Sequence, residues 1–457
     1  MTLPVVLPAE PLLSIEDYLR AGGGVGIRTA REYGPDATID EITAAGLTGR
    51  GGGGFSTGAK WRSIRDAGGG RRYVVANGAE GEPATFKDRM LMRRDPFRIV
   101  EGAAIAALAV GADDVYLATK ASFTVEAANL RHATEELQRH GLLDGLNVTV
   151  VGGPDEYLFG EEEALLEVIE GREPLPRQLP PWQHGLFATV AIGWESGTPR
   201  AGEEPTSNPT LVNNVETLAA ATHILEHGAE WFRSMGTVDS PGTVLVTVVG
   251  DVAHPGVHEV EMGTPFSDVL ERCGGPLAGR TFKAAFSGVS NAVLLATDFD
   301  VALTQRDLAA RDSGLGAAGF VVYDDRRSML AVAREFSRFL SVESCGQCPP
   351  CKRGSLSITE VLVDIDSGRG SDADLGRLNS LLRSVTDANR CYLGTEEQIL
   401  VSSILRSFPE DIAAGIEGGG PASSRIMIPL IRDLLDDGTV VYDERHQYKR
   451  PDWTYDS

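Results

Sequence analysis

The stretch Tyr73-Val-Val-Ala-Asn-Gly78 sets the fold class of the first half of the chain, because an apolar, β-branched run leads directly into a turn dipeptide. This pattern predicts a short strand. Two helical patterns, Pro96–Val110 and Thr124–Arg139, are each followed by another strand-like run, Val115–Ala118 and Val148–Val151. Strands that alternate with helices predict an α/β domain with a parallel sheet.

The pattern changes at Gly242. Thr243–Gly250 and Val257–Glu261 predict a β-hairpin, and Phe266–Cys273 predicts a helix after it. Further helices are predicted at Arg326–Leu340, Ser355–Ser367, Asp372–Ala388 and Thr395–Ser407. The end of the chain, Asp437–Ser457, is polar and aromatic, which indicates a tail that packs on the rest of the assembly or on a partner.

Composition restricts the function classes. The 457 residues include 42 Lys and Arg against 65 Asp and Glu, which gives a net charge of −23. This charge argues against nucleic acid or an anionic membrane surface as a partner, because both need clustered cations. No apolar run approaches the roughly 18 residues of a membrane span, and no secretory signal opens the chain. We therefore expect a cytoplasmic protein without a membrane span.

The cysteines form the strongest chemical signal. Cys345, Cys348 and Cys351 stand at C-x2-C-x2-C spacing, and Cys391 follows forty positions later. Four soft thiolates suit a [4Fe–4S] cluster or tetrahedral zinc. Structural zinc usually has two separated C-x2-C pairs, so the three-plus-one pattern favours the cluster, with zinc as the alternative. Cys273 stands apart and is predicted to be a buried core residue.

A glycine-rich loop, Gly49-Arg-Gly-Gly-Gly-Gly-Phe-Ser-Thr-Gly-Ala-Lys-Trp61, is the second signal. Consecutive glycines let a phosphate approach the backbone and leave N–H groups free to bind it. If Ser56 or Thr57 caps a helix, its N-terminus adds attraction for an anion. A second polar segment, Asn77–Pro83, follows the first predicted strand, where α/β folds bind ligands.

Together these motifs resemble those of the NADH-binding flavoprotein subunit of respiratory complex I and of the beta subunits of NAD-linked formate dehydrogenases and hydrogenases. The resemblance covers roughly residues 13–408. Five segments recur in the same order: Gly49–Trp61, Asn77–Arg89, Tyr157–Glu162, Asn213–Thr217 and Glu343–Gly354.

The resemblance implies three domains and a tail. Residues 1–239 would form a Rossmann-like domain for FMN and NADH, and residues 240–325 a ubiquitin-like β-grasp module called SLBB. Residues 326–420 would form a helical bundle with the [4Fe–4S] cluster, and residues 421–457 the tail. The resemblance also implies a partner subunit with a [2Fe–2S] cluster and further redox subunits.

Site residues are carried over by the resemblance. The residues expected along FMN and the dinucleotide are Gly49, Arg50, Gly51, Gly52, Gly54 and Lys60. Those expected at the flavin ring or its phosphate are Asn77, Glu80, Tyr157, Gly160, Glu161, Val212, Asn213, Asn214 and Thr217. Those expected at NADH are Phe55, Glu82, Glu162 and Trp182. The cluster ligands would be Cys345, Cys348, Cys351 and Cys391. Glu80, Glu161 and Glu162 would tune the electrostatics of hydride transfer without acting as acid or base.

The chain departs from the family pattern mainly in the dinucleotide pocket. Ala79 replaces a usual carboxylate, Ser63 an aromatic residue, Leu179 a lysine and Phe159 a cysteine. The resemblance as a whole favours an NADH dehydrogenase subunit that passes electrons through FMN to the cluster and on to a partner protein. The departures at Ala79, Ser63 and Leu179 motivate the alternative, an FMN and [4Fe–4S] electron-transfer subunit that does not oxidise NADH.

Overall fold

The computed structural model describes residues 5–190, 204–418, 426–435 and 437–455. The first part of the chain alternates helices with parallel strands. Its elements are α1 (Ile15–Arg20), α2 (Val25–Ala45), α3 (Thr57–Asp66), β1 (Tyr73–Gly78), α4 (Lys87–Arg94), α5 (Pro96–Val110), β2 (Asp114–Lys120), α6 (Thr124–Arg139), β3 (Asn147–Gly153), α7 (Glu162–Ile169), β4 (Thr210–Asn214), α8 (Val215–His227) and α9 (Ala229–Arg233).

The sheet of this first part confirms the predicted α/β class. Its strand order is β3-β2-β1-β4, and all neighbouring pairs are parallel. The order reverses at β1, so the carboxyl ends of β1 and β4 lie side by side, with Asn77 opposite Asn214. In open α/β sheets the crevice at such a reversal is where ligands bind. Strand β4 was not predicted, because its five residues end in two asparagines.

Helix α5 illustrates how sequence fixes the packing beneath this sheet. Asp95 caps it by accepting a hydrogen bond from the Arg98 N–H at 3.0 Å, and Pro96 occupies the first turn. A Cβ on Gly102 would lie 2.1 Å from the Leu218 carbonyl oxygen, so glycine is needed where α5 crosses α8. The helix is buried on nearly all sides and forms the centre of the core.

The second part contains a mixed sheet. Its elements are β5 (Thr243–Gly250), β6 (Gly256–Glu261), α10 (Phe266–Arg272), β7 (Phe282–Ser287), β8 (Leu294–Leu295), α11 (Gln305–Ala309) and β9 (Gly319–Asp324). The strand order is β6-β5-β9-β7-β8, and β5 and β6 form the predicted antiparallel hairpin. Cys273 directly follows α10 and is fully buried, as predicted.

The third part is a helical bundle. Its elements are α12 (Met329–Glu343), α13 (Pro349–Asp366), α14 (Asp372–Ser384), α15 (Leu393–Ser407), α16 (Pro409–Ile416), β10 (Ile431–Leu434) and β11 (Val440–Tyr442). Helix α13 starts six residues before the predicted start, because prolines are tolerated in a first helical turn. Helix α14 ends before Ala388, whose φ of 51° cannot continue a helix.

The described part of the C-terminal tail packs on this bundle. The Arg338 guanidinium donates to the carbonyl oxygens of His446 and Gln447, and the Trp453 indole N–H donates to the Val342 carbonyl. Lys449 and His446 both contact the Glu343 carboxylate, at 2.8 and 2.9 Å. The tail therefore binds the end of α12, immediately before the first cysteine of the cluster motif.

A buried ion cluster joins the first two parts. Lys87 is fully buried, and its ammonium lies 2.7 Å from Asp88 Oδ1 and 2.8 Å from Glu216 Oε2. Glu216 Oε1 accepts from the Leu245 N–H of β5 at 2.9 Å, and Asp88 Oδ2 accepts from the Asn214 amide at 2.7 Å. Burial opposes the charge of Lys87, but Asp88 and Glu216 together raise its pKa.

Replacing Lys87 by methionine is expected to destabilise the fold strongly, because two carboxylates then remain buried without a cation. Removing one partner of a buried ion pair costs about 3–5 kcal/mol. The free energy of unfolding in urea measures the loss. Arg20→Met is the control, since its pair with Asp17 is exposed, and such surface pairs contribute about 0–1 kcal/mol. Equal losses in both variants would contradict this account of the core.

Candidate functional site

A cavity of about 670 Å³ opens at the carboxyl edge of the parallel sheet. Its volume is in the range of small-molecule and cofactor sites. The Gly49–Phe55 loop, the turn after β1, the segment before α7 and the end of β4 surround it. Of the residues predicted at FMN or NADH, the following line it: Gly49, Gly51, Gly52, Gly54, Phe55, Lys60, Asn77, Glu80, Glu82, Tyr157, Gly160, Glu161, Glu162, Val212, Asn213, Asn214 and Thr217.

The glycine loop is fixed at its base and faces the cavity at its tip. The Gly49 N–H donates to the Phe55 carbonyl at 2.8 Å, and the Arg50 N–H donates to Thr217 Oγ1 at 2.8 Å. Gly52 and Gly54 have φ values of 121° and 62°, which strongly favour glycine. Of the two candidate caps in the sequence, Ser56 and Thr57, it is Ser56 that caps α3.

The acidic side chains of the cavity are held by fixed partners. Glu80 accepts from the Arg89 guanidinium at 3.0 Å and from the Asp88 N–H at 3.1 Å. Glu161 caps α7 by accepting from the Ala164 N–H at 2.8 Å, and Glu162 pairs with Lys60 at 2.7 Å. The protein's own side chains and backbone therefore hold the three carboxylates that were predicted to tune the electrostatics.

The segment before α7 is connected to both of its neighbours. The Asn77 amide donates to the Gly160 carbonyl at 2.8 Å, which joins it to the end of β1. The Tyr157 N–H donates to Glu343 Oε2 at 3.0 Å, which joins it to the helical bundle. Burial opposes ionisation of Glu343, yet His446 and Lys449 lower its pKa to about 2. The charged Glu343 thus ties the tail, the bundle and this segment together.

Two residues that were predicted to contact FMN or the dinucleotide, Arg50 and Trp182, do not line the cavity. The Arg50 guanidinium turns away from the cavity and donates to the carbonyls of Thr48 and Thr243, because a buried cation needs acceptors. Trp182 is 44% exposed and lies outside the cavity lining, whereas Phe55, 73% exposed, stands at its edge.

Several lining residues were not predicted from the sequence, because they come from distant parts of the chain. The part with the mixed sheet contributes Ser290, Asn291, Gly316 and Ala317, and the helical part contributes Tyr392, Leu393 and Glu396. Glu82 connects the first two parts, since its Oε1 accepts from the Val289 N–H at 2.7 Å. No local motif could have identified these contacts.

The four predicted cluster cysteines line one small cavity. Cys345 and Cys348 lie on the loop between α12 and α13, Cys351 lies in the first turn of α13, and Cys391 precedes α15. The Arg390 N–H points at Cys348 Sγ at 3.3 Å. Gln347 donates to the Pro176 carbonyl at 3.1 Å, which joins this loop to the segment Glu173–Gln183 of the first part, where four prolines lie.

The donor set fits a thiolate-ligated metal cluster. Burial raises the pKa of Cys351 to about 11 and that of Cys391 to about 12, so both thiols stay protonated at neutral pH unless a metal binds the sulfur. Soft sulfur ligands suit iron–sulfur clusters or zinc and exclude magnesium and calcium. The larger cavity likewise fits a flavin phosphate, which the glycine loop can receive.

The two cavities adjoin each other. Leu158, Cys391 and Leu393 line both of them. A cofactor in the larger cavity and a cluster on the cysteines would therefore be separated by only a few side chains.

One further group of metal-type side chains lies on α8. His223, Glu226 and His227 approach one another closely. However, the Arg98 guanidinium already pairs with Glu226 at 2.5 Å, and this cation opposes a metal ion. The cysteines are therefore the stronger metal centre. Among the described residues, no helix has the length and apolarity that crossing a lipid bilayer requires.

Three family models match the chain. The Nuo51 FMN-binding domain matches residues 42–223, and the SLBB domain matches residues 245–284. The NADH-ubiquinone oxidoreductase-F iron-sulfur binding region matches residues 331–415. These matches follow the three parts of the structure in order.

Known proteins are similar over nearly the whole chain. An F-type subunit of the NADH-quinone oxidoreductase of Rhizobium meliloti is 36% identical over 90% of this chain and 96% of its own length. The alpha subunit of the NAD-reducing hydrogenase HoxS of Cupriavidus necator is 34% identical over 82% of this chain and 60% of its own.

A solved structure agrees. An NAD+-reducing [NiFe]-hydrogenase in the H2-reduced state superimposes with a TM-score of 0.77 at 32% identity. The match covers 88% of this chain and 66% of the hydrogenase chain. The resemblance inferred from the motifs is confirmed, and the chain belongs to the family of F-type subunits of NADH-quinone oxidoreductases and the related subunits of NAD- and NADP-reducing hydrogenases.

Proposed function

We propose that this chain oxidises NADH in the larger cavity and passes the electrons through FMN to a [4Fe–4S] cluster on Cys345, Cys348, Cys351 and Cys391. The observation that supports the proposal is the shared wall of the two cavities, which would keep the two cofactors close to each other. When bound, FMN supplies hydride acceptance in one two-electron step and electron release in single steps.

The residues of the cavity would hold and orient the two nucleotides. The tip of the glycine loop would receive phosphate groups on its N–H groups, and Asn213, Asn214 and Thr217 would hold the phosphate of FMN. Phe55, at the exposed edge, is free to stack on the adenine ring.

The fixed carboxylates would set the charge around the reacting rings. Glu80 and Glu162 carry cationic partners, Arg89 and Lys60, so neither presents a free negative charge to a nucleotide. Hydride transfer needs no side chain as acid or base, so these residues act by position and charge.

We further propose that the chain works in the cytoplasm as one subunit of a redox complex. Its relatives are named as subunits of quinone oxidoreductases and hydrogenases. A partner subunit with a [2Fe–2S] cluster and further redox subunits would receive the electrons. The net charge of −23 argues against nucleic acid as a partner.

One second function has a specific observation behind it. Ala79 is buried in the cavity wall where the family pattern has a carboxylate, and Ser63 turns its hydroxyl to the Lys60 carbonyl. A chain with a weakened dinucleotide pocket would keep FMN and the cluster but exchange electrons with another protein.

Anaerobic absorption spectroscopy separates the two functions. The protein is purified without oxygen, and its flavin and iron–sulfur absorption is recorded before and after addition of NADH. Bleaching within the mixing time supports NADH oxidation. Bleaching by dithionite but by neither NADH nor NADPH supports the second function, and colourless folded protein contradicts both.

A further inference from the structure

Three polar side chains in the wall of the larger cavity share one hydrogen-bonding pattern. They are Asn213 and Asn214 at the end of β4 and Thr217 in the first turn of α8. In each of them, the side-chain oxygen accepts a hydrogen bond from an N–H group of the protein. The donors are the Trp61 indole N–H to Asn213 Oδ1 at 2.8 Å, the Glu216 N–H to Asn214 Oδ1 at 3.0 Å, and the Arg50 N–H to Thr217 Oγ1 at 2.8 Å.

The hydrogens of these side chains are what remains for a ligand. A side-chain amide carries two N–H donors, and a hydroxyl carries one O–H donor. Asn214 directs one of its two hydrogens to Asp88 Oδ2 at 2.7 Å. Within the described ranges, Asn213 Nδ2 and the Thr217 hydroxyl hydrogen are paired with no acceptor. This end of the cavity therefore presents donors, which suit the oxygens of an anion.

The direction of the Asn213 amide is decided by Trp61. Trp61 is fully buried in α3, directly after the glycine loop, and stands behind the cavity lining. An indole N–H only donates, so the atom of the amide that faces it is the oxygen. The rotated amide would place N–H against N–H and turn its oxygen towards the cavity, where it would repel a phosphate.

The charged groups around the cavity leave phosphate recognition to such neutral donors. Among the lining residues that the structure describes, the one cation is Lys60, which pairs with Glu162 at 2.7 Å. Asp88 also lines the cavity, and its charge is balanced by Lys87. The Arg50 guanidinium donates to backbone carbonyls instead. An anion here would be bound by oriented N–H and O–H groups at the N-terminus of α8.

We propose that Trp61 is a positioning residue that makes the flavin site selective for FMN over riboflavin, the flavin without a phosphate. It acts through Asn213, because its indole N–H holds the amide with the nitrogen towards the phosphate. The proposal rests on the proposed function only for the position of the FMN phosphate at Asn213.

Trp61→Phe keeps an aromatic ring in α3 and removes the donor. The Asn213 amide then loses the partner that fixes its direction. FMN should bind roughly 2–13-fold more weakly, which is the net value of one hydrogen bond. Riboflavin should bind as it does to wild type, because it has no phosphate for Asn213 to contact. General damage to the cavity would weaken the binding of both flavins.

Fluorescence titration of flavin-free protein with FMN and, separately, with riboflavin measures this selectivity as the ratio of the two Kd values. Trp453→Phe is the matched control, because its indole N–H also donates to one oxygen, the Val342 carbonyl at 3.0 Å, outside the cavity. The control should keep the wild-type ratio. An unchanged ratio in Trp61→Phe, or the same fall in Trp453→Phe, overturns the proposal.

Asn213→Ala completes a double-mutant cycle. This variant should lose selectivity for FMN, and the addition of Trp61→Phe should reduce the ratio no further, because the indole acts through the amide. A second, additive fall in the double variant overturns the proposal. An unchanged ratio in Asn213→Ala also overturns it and removes the proposed phosphate position, while NADH oxidation stays a separate question.

A crystal structure of the FMN-loaded wild type provides a test without variants. A phosphate oxygen should lie about 2.7–3.2 Å from the amide branch of Asn213 that points away from Trp61. A phosphate out of reach of this branch overturns the proposal even if Trp61→Phe fails to fold. Because neither measurement uses NADH, failure of NADH to reduce the protein affects only the proposed function.

Discussion

Replacing Cys391 by alanine is expected to remove the cluster almost completely. Cys391 supplies the fourth sulfur from outside the loop that carries the other three, and a cubane cluster needs all four thiolates. Iron content, the broad iron–sulfur absorption and the EPR signal after dithionite should all fall to background. The flavin should remain, because Cys391 contributes only part of the wall of its cavity.

Cys273→Ala is the control for this prediction. Cys273 is a fully buried cysteine of the β-grasp core and lies outside the cavity of the other four. Its loss should lower stability by roughly 1 kcal/mol, as for a small cavity, and leave the iron content unchanged. Full iron content in Cys391→Ala, or iron loss in Cys273→Ala, would contradict the assignment of the ligands.

Replacing Gly51 by leucine is expected to weaken flavin binding severely. A Cβ at this position would lie 3.0 Å from the Asn214 Cβ, so the longer side chain must displace Asn214 or enter the cavity. Asn214 caps α8 and donates to Asp88, so its displacement also disturbs the buried ion cluster. Overpacking of about 1–3 kcal/mol corresponds to roughly 5–150-fold weaker binding.

Fluorescence titration of flavin-free protein with FMN measures this loss. Gly376→Leu is the matched control, because a Cβ at Gly376 meets nothing within 4 Å and the residue lies on the exposed side of α14. Its affinity for FMN should equal that of wild type. Unchanged affinity in Gly51→Leu would show that the glycine loop does not contact the flavin.

The sequence predicted those features that depend on neighbouring residues. The fold class followed from runs such as Tyr73–Gly78, and the cluster ligands followed from spacing within one loop. The glycine loop and the Asn77–Pro83 turn were recognised as site segments because each is continuous in the chain. The glycine loop and the turn after β1 contribute residues to the wall of the larger cavity, and the four cysteines line the smaller one.

Features created by tertiary packing could not be predicted in this way. Ser290, Gly316 and Glu396 reach the cavity only because three parts of the chain pack together. The tail carries no motif, yet His446 and Lys449 fix the charge of Glu343 beside the cluster loop. The Arg50 guanidinium turns towards backbone carbonyls, since burial, which a motif does not encode, decides its direction.

The central claim is that electrons from NADH reach a cluster on the four cysteines within this single chain. Rapid mixing of anaerobic, fully loaded protein with NADH, followed by freezing and EPR spectroscopy, tests it directly. The account predicts that the signal of a reduced [4Fe–4S] cluster appears with NADH alone and is absent from Cys391→Ala. A flavin that bleaches while the cluster stays oxidised, or zinc in place of iron at these sulfurs, would contradict it.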